Sequence, residues 1–195
     1  MLEAIKYNLS RLADFSGRED RPTFWWYVLF LVILDIVLGI IVSGPMVVGG
    51  VSSAFSAAQS GASDAEVQAR VLQQMAPHMV TMMWVSGGIK LLMTALVAAA
   101  FVRRLHDSNS SGWWAALAVG AQVVTLAIAL SMVGNIEGTM AAIASSGDTS
   151  PAVLQQVEIS RLSLLGWIAP LLVLVFGVLK SSPGPNRYGE APQTS

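Results

Sequence analysis

The run Arg103-Arg104-Leu105-His106-Asp107-Ser108-Asn109-Ser110-Ser111-Gly112-Trp113-Trp114 gathers the side chains from which hydrolytic sites are built: an imidazole, a carboxylate and several hydroxyls. A nucleophilic triad needs the base within hydrogen-bond reach of the nucleophile and the acid behind the base. His106 and Asp107 are consecutive, so in a regular element their side chains diverge instead of pairing. No Gly-x-Ser-x-Gly elbow occurs in the chain. The expectation is no catalytic residue and no enzyme.

What surrounds the run explains it better. The chain has 195 residues, 54% hydrophobic and only 12% charged, against roughly 25% charged in a soluble domain. A net charge of −1 argues against nucleic acid, whose phosphates demand an excess of Lys and Arg. With no cysteine, thiolate metal sites and Cys nucleophiles are excluded. A bilayer crossing takes about 20 predominantly apolar residues, and four runs suffice: about 24–42, 79–102, 113–133 and 162–179. The last carries Pro170, which a membrane helix tolerates when its neighbours re-satisfy the freed carbonyl. The first is too long for a signal-peptide core. The expected fold is all-α: a polytopic membrane protein, a single transmembrane domain of four antiparallel helices with short interfacial helices.

Basic residues near membrane ends set orientation. Lys6, Arg11, Arg18, Arg21, Arg103, Arg104, Lys180 and Arg187 fall on one side, Arg70 and Arg161 on the other, and Lys90 inside a span. Both termini, with a tail over 181–195, are therefore expected in the cytoplasm. His78 and His106 then lie on opposite faces and cannot share an ion, so no metal site and no cofactor is expected. In the outer connections, Ser63 with Glu66 is a capping-box signature opening a helix over 63–76. Ser150-Pro151 opens another over 150–161. Val-Leu-Gln-Gln recurs at 71–74 and 153–156, and Trp25-Trp26 is echoed by Trp113-Trp114, a hint of two related halves. Leu2, Ile5, Leu9 and Leu12 form a helical stripe within 1–15. It fits an interfacial helix or one packed on the helix ends.

Three polar segments share the cytoplasmic face: Ser16–Trp26, Arg103–Trp114 and Pro183–Gly189. In them Arg18, Arg21, Arg103 and Arg104 are candidates to bind phosphate, while His106, Asp107, Asn186 and Tyr188 are candidates to cross-link the segments. Trp113 belongs at headgroup level, and Arg187 completes the cluster. "SGREDRPTFWW", "RRLHDSNSSGWW" and "NRYGEAP", in this order and separated by apolar spans, resemble the bacterial inner-membrane proteins grouped as domain of unknown function 805. The resemblance extends over essentially the whole chain. It implies a multispan plasma-membrane protein and no established activity, substrate or cofactor. Members of that family usually carry Gly and a basic residue where Asn109 and Ser110 stand here.

Asp35 lies 11 residues beyond Phe24, and Lys90 lies 11 beyond Met79. At ~1.5 Å per residue both come roughly 16 Å deep in a ~30 Å core. A charge there costs at least ~2.5 kcal/mol, so a partner or an aqueous cavity is expected. An internal ion pair fixing the helices is one reading, and a relay in a small transporter or channel is the other. The leading expectation is a non-enzymatic membrane module whose cytoplasmic cluster engages membrane lipids, a membrane protein partner or a second copy of itself.

Overall fold

The computed structural model describes residues 1–61, 63–131 and 164–192. Their regular elements are all helices, with a single isolated bridge between Asn186 and Gly189. The helices are α1 (Leu2–Leu9), α2 (Arg21–Gln59), α3 (Asp64–Asp107), α4 (Trp113–Ser131) and, after a 3₁₀ turn at Leu164–Trp167, α5 (Ile168–Val178). Among the described residues three helices are long and apolar enough to cross a membrane: Arg21–Gln59, the Val80–Asp107 part of α3, and Trp113–Ser131. The fourth apolar run is a shorter helix, Leu164–Val178. The expected helix over 150–161 lies outside the described residues, as do 132–133, 162–163 and 193–195.

Two helices run further than the sequence reading drew them. α2 continues through Gly44-Pro45 and Gly49-Gly50 to Gln59, where small residues read as a linker. Its hydroxyls bond back to the helix: Ser52 and Ser53 each donate to the Gly49 carbonyl at 2.9 Å, and Ser56 to that of Ser52 at 2.7 Å. α3 joins the expected outer helix to the second span without a break. The predicted capping box opens it, since Glu66 Oε2 accepts from the Ser63 N–H at 2.9 Å and from its hydroxyl at 3.1 Å.

The chain divides into two compact units. One comprises Met1–Ile36, Lys90–Thr125 and Ser163–Ser195. Its core packs Phe24, Tyr27 and Leu31 of α2 against Ala100, Phe101 and Leu105 of α3 and Ala115 and Ala118 of α4. The alanines let helices approach closely, as membrane packing favours, and Phe176 of α5 adds rings to Phe101 and Trp114. Tyr27 spends its hydroxyl on the Leu96 carbonyl at 3.0 Å. The other unit comprises Val37–Ile89 and Leu126–Leu162. There Gly87 sits so close to Leu126 that a Cβ would come within 2.9 Å of its Cδ1.

α1 turns an unexpected face inward. Ala4 and Asn8 are buried, whereas Leu2 (70% exposed), Leu9, Leu12 and Phe15 are open. The leucine stripe thus stays uncovered, and a polar side chain does the packing.

Candidate functional site

The unit holding both termini contains a buried network of charge. Arg103 and Arg104, on the last turn of α3, are almost wholly inaccessible, as are Arg18, Glu19 and Asp107. Gly17, with φ +81°, turns the chain so that Glu19 donates its N–H to the Arg103 carbonyl at 3.2 Å. The Arg103 guanidinium then meets Glu19 Oε2 at 3.0 Å, Asn8 Oδ1, and the carbonyls of Arg11 and Asp14. Asn8 closes the ring by donating to Glu19 Oε1 at 2.7 Å and to the Ala4 carbonyl at 3.1 Å. Burial pushes the Glu19 carboxyl above its ordinary value, while Asn8 and Arg103 pull it back. Asp14, in the open turn beside it, is held below its ordinary value by the hydroxyl and N–H of Ser16.

Asp107 is the second hub. Its Oδ1 takes Nε and Nη2 of Arg18 at 3.1 and 3.0 Å, and its Oδ2 accepts from Arg104 and from the Ser181 hydroxyl. Arg104 also donates to the carbonyls of Gly177 and Leu179. Arg18 reaches the carbonyls of Ser182 at 2.8 Å and Gly184 at 2.6 Å. Backbone carbonyls thus complement the one cation by which three arginines exceed two carboxylates. Every buried side-chain nitrogen and oxygen among the described residues has a partner, which is what makes a buried network tolerable.

The segment after α5 is folded onto this hub. Asn186 Nδ2 donates to the His106 carbonyl at 2.9 Å and to Ser182 Oγ at 2.7 Å. Tyr188 stacks on the His106 ring with centroids 3.8 Å apart and planes 7° from parallel, and the Arg187 guanidinium lies over the tyrosine ring, 4.7 Å from its centroid. Asn109 adopts φ +58° at the end of α3. That left-handed position favours glycine and tolerates asparagine best among the rest.

The three polar segments therefore meet. Of the four arginines read as phosphate binders, Arg18, Arg103 and Arg104 are bonded to internal acceptors. Arg21 is exposed and outside the network, and Trp113, 76% exposed at the start of α4, is also outside it. His106 and the Asp107 carboxylate do not pair; the imidazole Nδ1 faces the Gly17 carbonyl at 3.3 Å. Four contributors went unread: Asn8, Glu19, Ser181 and Ser182. Glu19 had a signal, an acid next to Arg18 on a segment already rich in arginine, while Asn8 had none.

Asp35 and Lys90, in the same unit, form an ion pair with Nζ 2.6 Å from Oδ2. Their side chains are 31% and 50% exposed, amid exposed Val32, Ile33, Ile36, Leu91 and Leu92.

No curated protein and no solved structure matches the chain. A family model does, over residues 12–190, which takes in Arg18, Glu19, Arg103, Arg104, Asp107 and Tyr188 alike. The chain belongs to the family described as Protein of unknown function (DUF805).

Proposed function

We propose that this is a non-enzymatic integral protein of the bacterial inner membrane. Four spans run antiparallel with both termini in the cytoplasm, and 162–179 forms the last. The buried arginine network is its scaffold: it locks the cytoplasmic ends of the helices, the N-terminal segment and the tail into one polar plate. Lipid headgroups or a protein partner engage the rim of that plate. The carrying observation is that Arg18, Arg103 and Arg104 are fully satisfied internally. Recognition then falls to the groups left open around them. The uncovered leucines of α1 support the same picture, as they suit a helix lying in the interface.

Reporter fusions test the topology: those at residue 109 and at the C-terminus should read cytoplasmic, and one at residue 60 external. A periplasmic signal at 109 overturns it. Retention of phospholipid by the purified protein tests the lipid engagement, and a protein that carries none leaves the rim to a protein partner. A transporter or channel is the second reading, favoured by the exposure of the Asp35–Lys90 pair. It requires those two charges for activity and tolerates changes at the plate.

A further inference from the structure

At the mouth of α2, Asp20, Arg21, Pro22, Trp25 and Ser181 line an open cleft of about 490 Å³. That lies within the ~300–1,000 Å³ of small-ligand sites. Two of its walls are fixed by the scaffold. The Trp25 indole is pinned to the Gly177 carbonyl at 3.1 Å, and the Ser181 hydroxyl is spent on Asp107. The other two polar groups are unspent. Among the described residues, neither the Asp20 carboxylate nor the Arg21 guanidinium has a hydrogen bond or an ion pair, with each other or with anything else. This contrasts with the three arginines beside them, in each of which every guanidinium nitrogen has an internal partner.

A ligand that answers both groups carries an anion and a hydrogen-bonding cation a few bonds apart. An anion alone would meet the Asp20 carboxylate, and a cation alone would meet Arg21. We infer that the cleft binds a phosphate ester bearing a primary ammonium, supplied as the headgroup of a phosphatidylethanolamine-type lipid. Arg21 takes the phosphodiester oxygens through its planar fork, and Asp20 takes the ammonium. The exposed apolar side chains Trp26, Leu29, Val32 and Ile33 of α2 continue from the cleft and offer a path for the acyl chains. This inference rests on the membrane-module reading above and names the ligand at its rim.

The test uses the full chain in nanodiscs of equal phosphatidylethanolamine, phosphatidylglycerol and phosphatidylcholine, released into mild detergent. Retained lipid is then counted by native mass spectrometry. The ethanolamine lipid should be retained about tenfold over the other two, the discrimination expected of one charge-assisted hydrogen bond. Asp20→Asn, which removes the charge and keeps the shape of the side chain, should erase that preference. Asp20→Glu should keep it, and Arg21→Gln should lower retention of all three lipids. Equal retention of the three by the wild type, or a preference that survives Asp20→Asn, overturns the inference and leaves the membrane-module reading standing. No retained phospholipid at all overturns the inference and, with it, lipid engagement anywhere on the rim. Soluble phosphoethanolamine at matched concentration should leave the bound lipid in place. Displacement by it would assign the cleft to a soluble ligand and overturn the lipid.

Discussion

Arg103 and Arg104 are consecutive on α3, yet their guanidinium groups serve opposite ends of the chain. Arg103 holds Asn8, Arg11, Asp14 and Glu19, and Arg104 holds Gly177 and Leu179. Neighbouring side chains on a helix point about 100° apart, so one dipeptide can clamp two segments that never meet in sequence. The pair is a divider as much as an anchor.

Asp107 should be the most sensitive carboxylate in the chain. Asp107→Asn strips the charge from a group on which both Arg18 and Arg104 depend, leaving buried cations uncompensated at a cost of about 3–5 kcal/mol. A fall in the thermal midpoint of the detergent-solubilised protein, larger than for Arg187→Ala at the exposed rim, is the expected result. Equal effects would mean that the network is not holding the fold.

Gly177 should refuse a methyl group. A Cβ there would stand 2.7 Å from Trp25 Cζ2 and 3.1 Å from Phe24 Cε1, and both rings belong to packed side chains. Gly177→Ala should cost about 1–3 kcal/mol of overpacking and shift the fluorescence of Trp25. Trimming the ring with Trp25→Phe in the same molecule should recover part of the loss.

Asp35 and Lys90 should be coupled. Asp35→Asn and Lys90→Met each strand a charge among apolar neighbours, so each should lower thermal stability. The double substitution should restore much of it, with a coupling energy of about 1 kcal/mol or more in the mutant cycle. Additive losses would mean that the two charges are solvated separately.

The Asp14 turn gives a pH signature. Its carboxyl is held below the usual value by Ser16, so the folded state favours the anion. That contribution is present above the unfolded value of 3.8 and is lost as pH falls through the lower folded value. In Ser16→Ala, NMR titration should find the Asp14 midpoint moved up toward the unfolded value. An unmoved midpoint would show that the hydroxyl is not its main partner.

Much of this was legible because membrane composition is a blunt signal. Long apolar runs and basic clusters stand out one residue at a time, and the capping box at Ser63 and Glu66 follows from local bonding. The continuity of α2 past Val42 was not legible, because Gly, Pro and Ser break helices in water yet are tolerated in membrane helices, where neighbours and hydroxyls re-satisfy freed backbone groups. The meeting of the three polar segments was inferred from their shared face, but which arginine each acid would take was not. That choice depends on rotamers across segments some ninety residues apart, as with Arg18 and Asp107. The stripe on α1 misled about packing because the pattern marks a face without saying what covers it. Asn8, which does the packing, carries no period.

The tail's place on the Asp107 hub also imposes an order on assembly. Arg104 can find Asp107 as soon as the last turn of α3 forms, three residues away. Ser181 reaches that carboxylate only after 74 more residues have been made, and Arg18 waits 166 residues for the Gly184 carbonyl. Throughout synthesis of α4 and α5 the cell therefore handles a chain whose first basic segment still lacks its final acceptors. Ser181, Ser182 and Gly184 therefore close the network only after α1 to α5 have been made.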